Sequence, residues 1–248
     1  MRFVVLAAVA LTAVVSAFLL DRIPQDRDYH RFADGRLLFG VSNFWNVATN
    51  LPFLVAAVLG WLQSARLASP RLGAHYRVFC SAVALVAFSS AWYHMAPSDA
   101  SLVWDRLPMT VAFMAFFAAL IADRIHGLVG RALLWPLVVA GLTSIAWWAK
   151  TEAAGAGDLR AYGLVQFLPI LLAPVILFLW PDGSLSRRHL ALAFVAYAVS
   201  KLDEHFDAAI YAALGVMSGH PIKHVAAACA CYAIYLAFRT RQPAGVRG

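Results

Sequence analysis

The chain alternates long apolar runs with short polar connections, and each run is long enough to form a membrane-spanning helix. A helix needs about 20 mostly apolar residues to cross a hydrocarbon core of roughly 30 Å. Eight runs meet this requirement: 3–20, 43–63, 77–95, 103–122, 132–149, 161–180, 189–206 and 220–238. The pattern predicts an all-α polytopic membrane protein, built as a seven-helix transmembrane bundle with an additional N-terminal hydrophobic helix.

The same pattern divides the chain into four parts. We predict an N-terminal transmembrane helix or signal anchor over 1–20, an extracytoplasmic loop over 21–42, a seven-helix core over 43–239 and a cytoplasmic tail over 240–248. The first run fits either a retained helix or a cleaved signal peptide, because both begin with a basic residue followed by an apolar run. We favour a retained helix, since no clear A-x-A cleavage site precedes Asp21.

Composition supports the membrane class. Hydrophobic residues make up 62% of the chain and charged residues 13%, whereas soluble domains average about 45–50% and 25%. The net charge of +7 does not indicate a nucleic-acid partner, because Arg and Lys are scattered through short connections. The three cysteines all lie in apolar runs, so they predict no disulfide framework.

The basic residues predict the orientation of the bundle. They cluster after the second, fourth, sixth and eighth runs, at Arg66, Arg71, Arg77, Arg124, Arg131, Arg187, Arg188, Arg239, Arg241 and Arg247. By the positive-inside rule these connections lie in the cytoplasm, so 21–42 and 207–219 lie outside. The Ala- and Arg-rich composition and compact connections are typical of bacteria, and we therefore expect the inner membrane.

Four ionisable residues stand at the predicted outer ends of apolar runs. His94 ends the third run, Asp105 lies near the start of the fourth, and His220 and His224 open the last. An ionisable side chain at bilayer depth costs roughly 2.5–3.5 kcal/mol on insertion scales, so such residues indicate a functional site. Convergence from three separate helices at one level of the membrane strengthens that prediction.

The spacing of these residues favours a metal site. Ser90 and His94 are four residues apart, as are His220 and His224, so each pair lies on one helix face. Three imidazoles with an open water position are typical of catalytic zinc, which lowers the pKa of the water towards about 7 and polarises a carbonyl. Asp105 would then act as general base and acid, while Ser90 would donate to the oxyanion or orient the water.

Other interpretations of each residue remain open. A single His at a helix end is often interfacial, and the HxxxH pair also fits haem ligation or a proton relay. Ser90 is a residue type common where helices pack, and Asp105 would also suit a helix cap.

Two neighbouring features are assigned to the membrane interface. The acidic cluster 201–207 contributes either to a pocket mouth or to a charged collar, in which Lys201 pairs with Asp203 or Glu204. Aromatic residues near the same end favour an outer aromatic belt rather than a binding cage: Trp92, Tyr93, Trp104, Trp147 and Trp148.

Four segments in order resemble the alkaline ceramidase family. They are SxxxH at 90–94, Asp-Arg-Leu-Pro-Met at 105–109, HxxxH at 220–224, and the Asn-Phe-Trp-Asn-Val-Ala-Thr-Asn-Leu segment at 43–51. The family belongs to a superfamily of seven-helix membrane hydrolases that includes the progestin and adipoQ receptors. The resemblance implies zinc (Zn²⁺) held by His94, His220 and His224, with Ser90 and Asp105 in the active site. It also implies a membrane lipid substrate, ceramide or another N-acyl lipid, hydrolysed to fatty acid and an amine-bearing lipid.

The family's calcium (Ca²⁺) site is only partly kept. Asp28, Asp34 and Asn43 occupy roughly its positions, but Asn43 replaces a Glu and another acidic ligand is missing. Calcium takes six to eight oxygen ligands, several of them preferably charged. Arg106 and Lys223 also depart from the family pattern, and two positive charges near the site would favour an anionic head group over plain ceramide.

Two classes of function remain. The first is an intramembrane zinc amidase, for which ceramide and other sphingolipids are only some of the candidates, since many bacteria make few sphingolipids. The second is a non-catalytic receptor-like protein, or a metal or haem handler that uses the same histidines. Ser90 and Asp105 favour the first class, because a metal carrier needs no proton shuttle.

Overall fold

The computed structural model describes residues 1–67 and 69–239, so the predicted tail 240–248 lies outside the described residues. Its ten α-helices within these ranges are α1 (Arg2–Leu19), α2 (Phe44–Ala48), α3 (Leu51–Gln63), α4 (Gly73–Met95), α5 (Asp99–Arg124), α6 (Gly127–Ala153), α7 (Arg160–Leu179), α8 (Arg187–His205), α9 (Asp207–Leu214) and α10 (Gly219–Arg239). Short 3₁₀ turns cover Arg27–His30, Ser64–Arg66 and Pro70–Leu72. The described residues contain no β-strand.

Seven helical segments in the described part of the chain are long and apolar enough to cross a membrane. They correspond to the predicted runs other than 189–206, which forms α8. That helix packs along α10 within the bundle, although charged residues lie at both of its ends. The prediction of an all-α polytopic membrane protein is confirmed.

The predicted run 43–63 is broken into two helices, which sequence periodicity did not indicate. The Thr49 hydroxyl donates to the Trp45 carbonyl at 2.6 Å, and the Asn50 amide donates to the Asn46 carbonyl at 2.7 Å. Side-chain bonds to the backbone of this kind compete with the helical ladder and bend helices. Pro52 then restarts α3 in its first turn, where a missing N–H costs nothing.

α5 is the central helix of the bundle. It packs against α4, α6 and α7, and it is the most buried of the candidate spans. Small residues permit these close contacts: Ala115 and Ala118 are fully buried, and a Cβ at Gly130 of α6 would collide with the backbone of Ala122. On the other side, α10 packs between α8 and α3. Helix α1 packs on α7, but none of the residues of α1 is buried.

We call the end at which α4 terminates and α5 and α10 begin the site end. A small apolar cluster lies there, separate from the large apolar core that fills the remainder of the bundle, and it consists of Tyr93, Leu102, Ile145, Trp148 and Tyr162. Residues 20–43 also lie at this end, because Ile23 accepts a hydrogen bond from the Leu159 amide and His30 contacts Tyr93.

The opposite end is fastened by a buried ion pair. Asp123 accepts hydrogen bonds from the Ser184 amide at 2.8 Å and the Ser184 hydroxyl at 2.6 Å. It also pairs with Arg124 at 2.9 Å, and Arg124 donates to the Pro181 carbonyl at 2.5 Å. The two residues therefore tie the end of α5 to the connection between α7 and α8.

We expect Asp123→Ala to lower the free energy of unfolding by about 3–5 kcal/mol, because it leaves the Arg124 guanidinium buried without its charge partner. Denaturant titration in detergent micelles measures the change. The control is Asp182→Ala, which removes an exposed carboxylate from the same connection. Equal stability of the two variants would contradict the assignment.

Candidate metal centre

Three histidines converge at the site end. His94 lies in the last turn of α4, and His220 and His224 lie in the first two turns of α10. Their potential ligand atoms all fall within 4.8 Å of one another, and all three side chains are buried. The ring centroids are separated by 4.9 Å for His94 and His220 and by 4.8 Å for His94 and His224. The predicted convergence is confirmed.

The unsatisfied nitrogen atoms of this group fit a metal ion. His94 Nδ1 and His220 Nε2 are buried and have no hydrogen-bond partner among the described residues. A buried polar atom without a partner costs about 1–3 kcal/mol, and native proteins leave few of them. A metal bound by these nitrogens would remove that cost, and imidazole is a common metal ligand.

Thr49 fixes which nitrogen of His224 faces the other histidines. Thr49 Oγ1 lies 3.1 Å from His224 Nδ1, and its single proton is already donated to the Trp45 carbonyl. The hydroxyl must therefore accept the hydrogen bond, so Nδ1 carries the proton and Nε2 keeps a free lone pair. A hydrogen bond from the nitrogen that does not bind the metal sets the tautomer and the ring orientation of a metal-ligating histidine.

Asp207 holds the start of α10 against the loop over the site. One carboxylate oxygen accepts from the His220 amide at 2.6 Å, and the other accepts from the Ala33 amide at 3.0 Å. This contact brings the Phe32 ring within 4.7 Å of the His94 ring and 4.6 Å of the His220 ring, measured between centroids. The aromatic ring shields the histidines from water on that side. Nothing in the sequence pattern pointed to Phe32.

Ser90 and Asp105 face the same cavity as the histidines. The cavity has a volume of about 220 Å³ and both residues line it, with the Ser90 hydroxyl beside the Asp105 carboxylate. Asp105 is buried, and its Oδ1 atom has no hydrogen-bond partner among the described residues. Ser98 caps α5 through a capping box, so Asp105 in the second turn is not a cap.

The three predicted calcium residues make other contacts. The Asp28 side chain is 70% exposed and pairs with Arg31 at 3.0 Å. Asp34 is buried, and hydrogen bonds from Arg36 hold the pKa of its carboxyl below its usual value. Asn43 donates to the His94 carbonyl at 2.8 Å and so supports the end of α4. The calcium site stays a prediction that these contacts do not favour.

Charged residues from α5, α8 and α10 complete the cavity wall. Glu204 pairs with Lys201, as the collar interpretation predicted, and also with Lys223 at 2.5 Å. All three residues line the cavity, as does Arg106. The acidic cluster is therefore both an ion-paired collar and part of the pocket wall.

The aromatic-belt prediction is wrong for two of its five residues. Trp92, Trp104 and Trp147 are exposed, as a belt requires, but Tyr93 and Trp148 are almost completely buried beside the cavity. Composition near a membrane interface identifies which residue types lie there, whereas packing against neighbouring helices decides which side chains face the lipid. Tyr93 and Trp148 face inward.

Comparison with known proteins leaves the family open, because no protein-family model and no curated protein matches the chain. The fold and the site nevertheless define a class. The protein is an all-α polytopic membrane protein with a buried group of three histidines that could hold a metal ion.

We expect Thr49→Val to weaken metal binding by about 10- to 100-fold, the usual effect of removing an outer hydrogen-bond partner of a metal-ligating histidine. Competition with a chelator of known affinity measures the change. Thr143→Val is the matched control, since the Thr143 hydroxyl also donates to a backbone carbonyl one turn earlier but is exposed on α6. Equal affinity in both variants would show that Thr49 does not orient His224.

Proposed function

We propose that the protein is an intramembrane zinc-dependent amide hydrolase that releases a fatty acid from ceramide or a related N-acyl lipid. The observation that carries the proposal is that the three histidines share one buried cavity with Asp105 and Ser90. A metal carrier has no need of a proton-transfer group at that position. The resemblance to alkaline ceramidases supports the same reaction.

Zinc is the metal that this donor set favours. Three neutral imidazoles without a thiolate or carboxylate are typical of catalytic zinc sites, which keep one coordination position open. When bound, zinc would polarise the amide carbonyl and increase the acidity of water. His94, His220 and His224 are the residues that would hold it.

The roles of the other residues follow from their positions. Hydrolysis forms a C–O bond from water to the carbonyl carbon and breaks the amide C–N bond. Asp105 takes a proton from the attacking water and delivers it to the leaving nitrogen, so that one carboxyl group serves as base and then acid. Ser90 donates to the developing oxyanion or orients the water. Phe32 and the buried Tyr93 limit access of other water molecules.

An apolar cavity adjoins the polar one and suits an acyl chain. It has a volume of about 140 Å³ and shares Phe53, Val86, Met109, Tyr197 and Ala227 with the wall of the histidine cavity. Val86, Met109 and Ala227 each lie about one helical turn deeper than Ser90, Asp105 and His224. An amide held at the histidines would therefore extend its acyl chain towards the bundle interior.

Asp105→Asn separates an amidase from a metal handler. We expect the variant to keep its metal and its fold. Its activity should fall by about 10²- to 10⁴-fold, because the asparagine side chain cannot take a proton from water and deliver it to the leaving nitrogen. Ser90→Ala should lose about 10- to 10³-fold, as expected for one oxyanion donor among several. The measurement is fatty acid released from N-acyl lipids by variants with verified zinc content. Near wild-type hydrolysis by Asp105→Asn would contradict the mechanism.

We also propose that the site end faces the extracytoplasmic side of a bacterial inner membrane. In a variant without native cysteines, Arg31→Cys should react with a membrane-impermeant maleimide in intact cells. Arg187→Cys, at the opposite end, should react only after permeabilisation, because the basic connections are retained inside. The reverse labelling pattern would place the site on the cytoplasmic side.

A further inference from the structure

Arg106 is a buried cation of the cavity that the proposed mechanism does not use. It follows Asp105 on α5, lines the same cavity and is only 6% exposed. Its guanidinium carbon lies 4.5 Å from the ring centre of Trp148, 4.9 Å from that of Tyr162 and 5.3 Å from that of Tyr29. Three aromatic faces therefore hold the guanidinium in one place, as cation–π contacts do.

No carboxylate in the described part of the chain forms an ion pair with Arg106, and its Nη1 atom is buried without a hydrogen-bond partner. The nearby Glu204 carboxylate is already engaged by Lys201 and Lys223. A guanidinium cannot lose its charge at ordinary pH, and a buried charge without a partner is costly. Asp105 acts on Arg106 electrostatically but forms no ion pair with it, so no anion lies in direct contact with the guanidinium among the described residues.

The other charged residues around the cavity leave an excess of positive charge there. Among the described residues, Arg106, Lys201 and Lys223 line the cavity together with two carboxylates, those of Asp105 and Glu204. A metal bound by three neutral histidines would add further positive charge. An uncharged substrate would leave this excess uncompensated, whereas a substrate with one acidic group would offset it.

We propose that Arg106 anchors an anion subsite for the amine portion of the substrate, so that the preferred substrate is an N-acyl lipid carrying a carboxylate or phosphate near its amide. The part of this inference that concerns the reaction rests on the proposed amidase function, whereas the binding of the anion does not depend on it. The planar guanidinium binds carboxylates and phosphates through two parallel hydrogen bonds, and its aromatic surroundings orient it in advance.

The position of Arg106 agrees with the path of such a substrate. The apolar cavity begins one turn deeper on α5, at Met109, and Arg106 lies at the level of Asp105 on the side facing α6 and α7. An amide beside Asp105 can therefore direct its acyl chain inward and its acidic group towards Arg106. The acyl chain would occupy the apolar cavity, and the acidic group of the same lipid would bind at Arg106.

The first arm of the test compares two substrates with the same acyl chain. N-palmitoylglycine carries a carboxylate at the position where N-palmitoylethanolamine carries an uncharged hydroxymethyl group. We expect the wild type to favour the carboxylate by roughly 10- to 100-fold in kcat/KM, the usual worth of hydrogen bonds between charged groups. Arg106→Gln should bring the ratio close to one, and the ratio is the readout because any effect of the substitution on Asp105 is common to both substrates. Arg31→Gln, which removes an 82% exposed arginine at the same end, should keep the preference.

Arg106→Lys keeps the charge but not the planar fork, and we expect it to retain a smaller preference. Zinc content and thermal unfolding in detergent show whether each variant is folded. If Arg106→Gln fails to fold, the test rests on the ratio of kcat/KM for the two substrates, measured for the wild type and for Arg106→Lys. Equal wild-type rates on the two substrates, or an Arg106 variant that is folded and keeps the full preference, would overturn the inference.

The second arm measures binding of dodecyl phosphate to the same proteins by tryptophan fluorescence. We expect Arg106→Gln, but not Arg31→Gln, to weaken binding by about 10-fold or more. If this holds while neither amide is hydrolysed, the anion subsite stands and the amidase function fails. Equal binding in both variants would overturn the subsite. Displacement by inorganic phosphate at the same affinity would show a site for a free anion and would overturn its assignment to the lipid.

Discussion

The constraint on which this structure depends is that buried imidazoles inside a membrane bundle must have partners. Water cannot satisfy polar groups at bilayer depth, so the protein itself or a bound ion must do so. His224 is satisfied on one side by Thr49, while His94 Nδ1 and His220 Nε2 have no protein partner in the described structure. The three rings offer potential ligand atoms within 4.8 Å of one another, and a shared metal ion would satisfy these atoms together.

The surrounding elements position the histidines rather than merely enclose them. The break between α2 and α3 directs the Thr49 hydroxyl at His224, and Asn43 supports the carbonyl end of α4 beside His94. Asp207 fastens both the start of α10 and the loop that carries Phe32. Three separate segments thus hold the site, which is how a preorganised centre keeps its geometry.

The sequence was sufficient for the fold class and for the three histidines, because apolar run length and ionisable residues at run ends are strong signals in membrane proteins. It was insufficient for features that depend on rotation about a helix axis or on distant pairs. Trp148 and Tyr93 have the composition of an interfacial belt but face inward. Thr49 and His224 are 175 positions apart, so no local pattern could pair them. Arg106 was expected near the site, whereas its contacts with three aromatic rings depend on segments that are distant in sequence.

Metal analysis of the purified protein tests the central claim most directly. Elemental mass spectrometry of the wild type should find close to one zinc ion per chain, as a buried site of three histidine ligands with one open coordination position predicts. His224→Ala should lose most of that zinc, whereas His126→Ala, which removes an exposed histidine at the opposite end, should keep it. A wild-type protein purified without chelators that contains no metal, or a His224→Ala variant with full zinc content, would contradict the account.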